Sequence, residues 1–160
     1  MTPLALFTDG SVHPPTGAGY AAYFACREDE LAAPPPSEEI MVKRFEKTNA
    51  ARLELSALLW ALEELGEQAQ NATIYTDSQT ITGLPDRRTR IESTDFHAKT
   101  GRLLNNHDLY RAFYQTWDKR QFTVVKLEGH TSTARSTALQ RIFAQVDQAA
   151  RKTLRCSRGR

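Results

Sequence analysis

The chain has 160 residues, 40% of them hydrophobic and 25% charged, which is ordinary for a soluble globular protein and predicts one domain over residues 1–160. No apolar run approaches the roughly 20 residues that span a bilayer, and the N-terminus lacks the basic start of a signal peptide. The net charge of +2 permits a polyanionic partner without identifying one, and the two cysteines match no metal-binding spacing, which predicts free thiols and a cytoplasmic location.

The first third of the chain predicts three strands. Residues 4–8 form a short buried strand that ends at Asp9-Gly10-Ser11, and residues 18–26 form a second strand. The Gly/Pro-rich turn between these two apolar runs predicts an antiparallel hairpin. The proline-rich residues 32–36 are predicted to form a loop, because prolines cannot donate hydrogen bonds to a sheet. A third strand is predicted at about residues 40–46.

Helix and strand signals alternate in the rest of the chain. Residues 50–66 give the strongest helix signal, with no proline and many leucines, and a short strand at residues 72–76 ends at Asp77. Residues 83–106 have poor periodicity and high polarity, which predicts a loop or an irregular helix.

The C-terminal third predicts two more helices, at residues 108–118 and 138–154, with a strand at residues 122–127 between them. A basic, frayed tail is predicted at about residues 155–160. Three strands followed by alternating helices and strands predict an α/β domain with a five-stranded mixed sheet, in which three antiparallel strands precede parallel ones and helices flank the sheet.

Two acidic residues stand where apolar strands are predicted to end. Asp9 follows Leu6-Phe7-Thr8, and Asp77 follows Ile74-Tyr75-Thr76. Ligands of α/β proteins gather outside the carboxyl ends of the strands, so the two acids are candidates for one crevice. Structural alternatives are open as well, because Asp-Gly is a common turn dipeptide and Asp77 could cap the next helix.

Two more acids lie among apolar residues on predicted helices. Glu54 falls inside the apolar stripe of the helix at residues 50–66, and Asp147 lies beside the apolar stripe of the last helix. A buried carboxylate costs several kcal/mol unless it is paired or binds a metal. For Asp147, an acid at the edge of the apolar face is an equally open interpretation.

If the four acids converge, they require cations. Two carboxylates about 4 Å apart repel each other by roughly 4 kcal/mol at an effective dielectric constant of about 20. Oxygen ligands without thiolates favour Mg²⁺ or Mn²⁺ over zinc. Two such ions about 3.5–4 Å apart can activate water and stabilise the leaving oxygen of a phosphodiester. The spacing of the acids along the chain does not by itself require that they meet.

Taken together, these segments resemble a known family, the type 1 ribonucleases H of cells and retroviruses. The resemblance covers residues 4–154 and implies a ribonuclease H-like fold. It also implies an endoribonuclease that hydrolyses the RNA strand of RNA–DNA hybrids and leaves 5′-phosphate and 3′-hydroxyl ends. Five fragments in family order carry the resemblance: Phe7-Thr8-Asp9-Gly10-Ser11, Thr48-Asn49-Ala50-Ala51-Arg52-Leu53-Glu54-Leu55, Tyr75-Thr76-Asp77-Ser78-Gln79, Gly129-His130 and Val146-Asp147-Gln148-Ala149-Ala150-Arg151.

The resemblance implies the active-site residues. Asp9, Glu54, Asp77 and Asp147 would bind two Mg²⁺ ions, with Mn²⁺ as an alternative. Asp9 would bridge both ions, Glu54 and Asp77 would hold the ion at the leaving group, and Asp147 would hold the ion that activates water. His130 would lie on a mobile loop and assist proton transfer or product release, although a plain surface histidine is the simpler alternative.

The resemblance also implies the substrate contacts. Groups near four residues would touch the minor groove of the hybrid: Gly10, Ser11, Asn49 and Gln79. Asn49 could equally be a helix cap. Residues 84–102 occupy the place of the basic protrusion of bacterial members, with several arginines but no tryptophan, and could contact phosphates of the DNA strand. The expected partner is an RNA–DNA hybrid, and the chain is expected to be a monomer.

Two alternatives to this function are open. A non-catalytic hybrid-binding module would share the fold, although such a binder gains nothing from acids that face phosphates. A strand-transfer or junction-cutting nuclease of the same broad superfamily would also use carboxylates after strands. Pro14-Pro15 and Ala50-Ala51 depart from the common family pattern, which predicts the loss of some familiar groove contacts.

Overall fold

The structure is a computed structural model that describes residues 2–31, 34–128 and 137–158. In these ranges the helices and strands are β1 Leu4–His13, β2 Ala18–Arg27, β3 Met41–Phe45, α1 Ala50–Leu65, β4 Thr73–Thr76, α2 Gln79–Ser93, α3 His107–Arg120, β5 Thr123–Lys126 and α4 Ala138–Arg158, with single 3-10 turns at Glu28–Glu30, Ser37–Glu39 and Gly66–Ala69. None of these helices combines the length and apolarity needed to cross a bilayer. Cys26 and Cys156 are free thiols, as predicted.

The five strands form one mixed sheet in the order β3-β2-β1-β4-β5. β1 pairs antiparallel with β2, and β2 pairs antiparallel with β3. β4 pairs parallel with β1 on one side and with β5 on the other. This arrangement confirms the predicted mixed sheet, because the antiparallel strands come first in the chain and the parallel strands alternate with helices.

Helices cover both faces of the sheet, and the alternation of side chains along β1 shows which face each residue meets. Leu6 packs in the apolar cluster made with α1, α2 and α3. Ala5 and Phe7 pack in a second cluster on the opposite face, made with α4. Because successive side chains of a strand point to opposite faces, this pattern places Asp9 on the α4 face and Gly10 on the α1 face.

β1 extends five residues beyond its predicted end, and the ladder with β2 runs from Leu4↔Arg27 through Asp9↔Ala22 to His13↔Ala18. The chain turns only afterwards, where the backbone N–H of Gly17 donates to the carbonyl of His13 at 2.9 Å and Gly17 adopts a φ of 72°. The Asp9-Gly10 dipeptide is therefore not a turn. It lies inside a strand because β2 supplies ladder partners along its whole length.

α2 corrects the prediction of a loop or irregular helix from residue 83 onward. Ile81, Leu84 and Ile91 are buried along one side of this helix, although it contains Pro85. The hydroxyl of Tyr114 on α3 donates to the carbonyl of Leu84 at 2.7 Å, which ties α2 to its neighbour. Tertiary packing thus overrides the weak helix signal of this polar segment.

α4 continues to Arg158, into the range predicted to fray. Leu154 is buried, and the hydroxyl of Ser157 donates to the carbonyl of Leu154 at 2.8 Å. Ser157 also shares a side-chain hydrogen bond with Tyr20 of β2. These contacts extend the helix beyond its last apolar residue, so the frayed-tail prediction is wrong as far as residue 158.

The first turn of α1 is tied to the first turn of α3 by one ion pair. The guanidinium of Arg52 donates to both carboxylate oxygens of Asp108, at 3.1 and 2.7 Å. Hydrogen bonds from Arg52 lower the pKa of Asp108 to about 2. This pair connects the segment that carries Glu54 to the helix layer behind it.

We expect Arg52→Ala to lower the free energy of unfolding by about 0.5–1 kcal/mol at neutral pH, since the pair is partly exposed to solvent. The pKa of Asp108 is depressed in the folded chain, so the pair stabilises the fold above about pH 4 and loses this contribution as the pH falls toward about 2. Urea unfolding of the single and double variants of Arg52 and Asp108, at neutral and acidic pH, measures the coupling energy.

The exposed Asp95–Arg111 pair, whose closest charged atoms are 3.9 Å apart, is the matched control. A coupling energy for Arg52 and Asp108 no larger than that of this control would contradict the assigned role.

Candidate active site

Four acidic side chains from four different elements interact with one another. Asp9 lies on β1, Glu54 near the start of α1, Asp77 directly after β4, and Asp147 in the middle of α4. The carboxyl groups of Asp9 and Asp147 are hydrogen-bonded, and Asp9 also interacts electrostatically with Asp77. Glu54 interacts electrostatically with Asp77 as well. The acids therefore form a connected row in the order Asp147, Asp9, Asp77, Glu54.

The parallel pairing of β1 with β4 brings the two central acids together. Leu6 is opposite Ile74 and Phe7 is opposite Tyr75 in this ladder. The same offset, continued two residues further, places Asp9 opposite Asp77. Sheet register thus explains why two acids so far apart in the sequence become neighbours.

Asp147 reaches Asp9 because α4 packs against β1, and the two side chains meet between the helix and the strand. Val146 and Ala150 are fully buried against the sheet, which fixes the face that α4 presents to β1. Asp147 lies at the edge of this face, with its side chain 26% exposed, and its Oδ1 accepts a hydrogen bond from Nε of Arg151 at 3.1 Å. The acid is partly buried and reaches both the sheet and the solvent.

The carboxyl of Asp9 is held in its protonated form. Burial, the hydrogen bond to Asp147 and the charges of Asp147 and Asp77 together raise the pKa of Asp9 from 3.8 to about 9, against the opposing effect of the Gly10 backbone N–H. Two carboxyl groups can share a hydrogen bond only when one of them carries a proton. A shared proton therefore relieves the repulsion between Asp9 and Asp147.

Glu54 is stabilised in a different way. The hydroxyl of Ser78 donates to Oε2 of Glu54 at 2.7 Å. Burial raises the pKa of Glu54, the Ser78 hydrogen bond lowers it, and the charge of Asp77 raises it. Glu54 is thus a half-buried acid whose carboxylate accepts a hydrogen bond from a serine, so its geometry depends on that hydroxyl.

The donor chemistry of these acids fits a hard divalent cation. All four offer carboxylate oxygens, which Mg²⁺ and Mn²⁺ prefer, and their mutual repulsion favours any cation that binds among them. Across residues 2–31, 34–128 and 137–158, however, no three His, Cys, Asp or Glu side chains are grouped closely enough to hold an ion. The acids instead form two hydrogen-bonded units, Asp9 with Asp147 and Glu54 with Ser78.

The predicted substrate residues lie on β1 and at the N-terminal ends of α1 and α2. A Cβ on Gly10 would lie 2.8 Å from Cγ of the buried Leu53, so close packing against α1 requires glycine there. Asn49 caps α1, since its Oδ1 accepts a hydrogen bond from the backbone N–H of Arg52 at 3.0 Å. Ser11 pairs with Tyr20 in the β1–β2 ladder, and Gln79 is an exposed residue at the start of α2.

One alternative is wrong, and one predicted segment is not among the described residues. The N-cap of α2 is Ser78 and not Asp77, so the alternative role of Asp77 as a helix cap is wrong. Gly129 and His130 lie outside the described residues.

The contribution of Ser78 was missed by sequence reasoning. This residue is 4% exposed and contacts both Glu54 and the backbone of α2. Its signal in the sequence is a serine directly before a helix, which is a common capping position. From the sequence, the neighbouring Asp77 was considered as the cap of the next helix, so the cap at Ser78 was not recognised.

Comparisons with known proteins identify a matching family and a shared fold. A family model described as RNase H matches residues 1–155. No curated protein sequence matches the chain significantly. A foamy viral protease-reverse transcriptase in complex with dsDNA superposes with a TM-score of 0.69 and 13% identity, over 94% of this chain and 96% of the other.

Two further solved structures are similar. The foamy viral protease-reverse transcriptase in complex with an RNA/DNA hybrid gives a TM-score of 0.70 at 14% identity, over 94% of this chain and 20% of the other. The solution structure of the PFV RNase H domain gives a TM-score of 0.69 at 15% identity, over 93% and 92% of the two chains. At such low identity these structures show a shared fold.

We expect Asp9→Asn to stabilise the metal-free chain by roughly 1–3 kcal/mol at neutral pH, since an amide can donate to Asp147 without holding a titratable proton. The pKa of Asp9 is raised from 3.8 to about 9, so the folded chain retains a proton that the unfolded chain loses. The stability of the original chain therefore falls as the pH rises between about 4 and 9, and the gain from the substitution grows over the same window.

Urea unfolding at several pH values, with a chelator present, measures this effect. Asp86→Asn, at an exposed position on α2, is the control and should change stability little at any pH. Equal pH dependence of the Asp9→Asn variant and the original chain would show that Asp9 is not the proton-holding group.

Proposed function

Because this chain belongs to the ribonuclease H family, we propose that it hydrolyses the RNA strand of RNA–DNA hybrids with the help of divalent metal ions. The row of four interacting acids is the observation that carries the proposal. A protein that only bound nucleic acid would be weakened by anionic groups facing phosphates. A nuclease that uses metal ions requires such groups as ligands.

Asp9, Glu54, Asp77 and Asp147 would hold two Mg²⁺ ions, with Mn²⁺ as the alternative. When bound, these ions supply an activated water and stabilise the leaving oxygen, which yields 5′-phosphate and 3′-hydroxyl ends. Asp9, in the middle of the row, is proposed to serve both ions. Binding a cation there would require Asp9 to release to solvent the proton that it shares with Asp147.

The two ends of the row would have separate tasks. Glu54 and Asp77 are proposed to act at the leaving group, and Asp147 at the attacking water. Arg151 donates to Asp147 at 3.1 Å and so limits the orientations of that carboxylate. His130 is proposed to assist proton transfer or product release.

The proposed substrate is supported by one of the structural relatives, which is a complex with an RNA/DNA hybrid. Minor-groove recognition of RNA depends on donors and acceptors that read 2′-hydroxyls. Gly10, Ser11, Asn49 and Gln79 are proposed to supply them. In Asn49 the side-chain oxygen is committed to the helix cap, so its amide nitrogen is the group that can donate to the substrate.

Residues 84–102 offer a second surface for the hybrid. A groove of about 330 Å³ is lined by Arg87, Arg90, His97 and Lys99 together with apolar residues. Arg90 and Lys99 are exposed. Arg88 is committed to Asp118, with contacts of 2.6 and 2.8 Å, and so has a structural role. We therefore assign the proposed DNA-strand phosphate contacts to Arg90 and Lys99.

We expect the purified chain to cleave 5′-labelled RNA annealed to DNA in Mg²⁺, and to stop when a chelator is added. Asp77→Asn should lower the rate by about 10²-fold or more, since it removes a charged ligand of the ions. Glu63→Gln, an exposed acid on α1, is the matched control and should retain the rate.

The two alternative functions predict different results in this cleavage assay. Binding of the hybrid without cleavage in any divalent metal would favour the binding module. Cleavage of an all-DNA substrate would favour the strand-transfer or junction-cutting class. Either result would contradict the proposed function.

We expect Arg90→Ala combined with Lys99→Ala to raise KM while leaving kcat little changed, because distant phosphate contacts contribute to binding rather than to the chemical step. The slope of log affinity against log salt should become shallower by about 1–2. Lys119→Ala, an exposed cation at the end of α3, is the control. An unchanged salt slope in the double variant would refute the assignment of this surface.

A further inference from the structure

The short connection between β4 and α2 buries two hydroxyls on either side of an exposed acid. Thr76 is 2% exposed and Ser78 is 4% exposed, whereas Asp77 between them is exposed. The backbone N–H of Ser78 donates to Oγ1 of Thr76 at 3.1 Å. This hydrogen bond closes a tight turn whose projecting residue is Asp77. The backbone position of Asp77 is thereby fixed from both sides.

The hydroxyl of Ser78 makes two hydrogen bonds of opposite kind. It accepts from the backbone N–H of Ile81 at 3.2 Å, which caps α2. It also lies 2.7 Å from Oε2 of Glu54. Because a backbone N–H can only donate, the single hydroxyl proton is available for Glu54. The direction of the contact is therefore settled, and Ser78 donates to Glu54.

The hydrogen bond from Ser78 to Glu54 opposes the repulsion between Glu54 and Asp77. Glu54 and Asp77 carry like charges that raise the energy of keeping both carboxylates ionised side by side. Glu54 has three rotatable side-chain bonds and is only partly buried, so it can move away from Asp77 unless something holds it. The Ser78 hydroxyl is anchored to α2 and buried, which makes it a rigid donor at the required place.

We propose that Ser78 is a positioning residue that holds Glu54 beside Asp77, so that the two carboxylates together can take a divalent cation. The proposal rests on the proposed metal-dependent function and adds to it a residue that touches neither the cation nor the substrate. Outer hydrogen-bond partners of metal ligands commonly change metal affinity by about 10–100-fold when they are removed.

Three substitutions at this position separate positioning from helix capping. Ser78→Thr keeps the donor and the cap. Ser78→Gly removes the donor but costs the cap only a few tenths of a kcal/mol, and Ser78→Ala removes both. Thr82→Ala is the matched control, because the Thr82 hydroxyl lies in the same turn of α2 and donates to the carbonyls of Ser78 and Gln79 without contacting an acid.

The experiment measures Mg²⁺ affinity by isothermal titration calorimetry, with thermal unfolding and hybrid cleavage recorded for the same samples. We expect Mg²⁺ affinity to fall about 10–100-fold in Ser78→Gly and Ser78→Ala, to recover in Ser78→Thr, and to stay at the original value in Thr82→Ala. In a Glu54→Gln background, Ser78→Gly should cause no further loss of affinity, since the hydroxyl acts through the Glu54 carboxylate.

The outcomes distinguish this proposal from the function on which it rests. If the original chain binds Mg²⁺ and cleaves the hybrid while Ser78→Gly keeps full Mg²⁺ affinity, the positioning role is overturned and the proposed function stands. A loss of thermal stability in Ser78→Ala with unchanged Mg²⁺ affinity would assign Ser78 to capping alone. If the original chain neither binds Mg²⁺ nor cleaves, both proposals fail.

Discussion

The fold brings acidic side chains together, and the repulsion between them dominates the energetics of the site. The parallel register of β1 and β4 sets Asp9 next to Asp77, and α4 adds Asp147 on the same side of the sheet. Bringing such groups together in a partly buried place costs free energy unless charge is removed or balanced. A proton between Asp9 and Asp147 and a serine hydroxyl on Glu54 limit that cost in the chain by itself. Bound divalent cations would lower the cost of this repulsion further, which links the repulsion between the acids to the proposed metal-dependent chemistry.

The fold tolerates the repulsion between the acids because they lie on well-packed strands and helices. Leu6 and Phe7 of β1 are fully buried on opposite faces, so the strand that carries Asp9 is held from both sides. Gly10 lets the side chain of Leu53 approach β1 closely, which fixes the start of α1 one residue before Glu54. Arg52 ties the same turn to α3. Such rigidity is what a site of like charges needs, since flexible acids would simply move apart.

Much of the fold was predictable from the sequence, because its strands and α1 have clear apolar patterns and the acids interrupt those patterns at informative places. The family prediction is confirmed by the match over residues 1–155. The regular helix α2 was not predicted beyond a loop or irregular helix, because its apolar residues are few and α3 holds it, and the Ser78 contact was missed with it. The extension of β1 through Asp9 depended on pairing with β2, which local sequence does not report. The monomeric state, the cytoplasmic location and the roles of the individual acids stay predictions.

Anomalous diffraction from crystals grown with Mn²⁺ would show whether the four acids bind divalent cations, because it locates the cation and shows its ligands at once. We expect anomalous peaks in contact with Asp9, with carboxylate oxygens from Glu54, Asp77 and Asp147 completing the protein ligands. Crystals that hold no Mn²⁺ among these acids, or in which Glu54 and Asp147 turn away from a bound ion, would contradict this expectation.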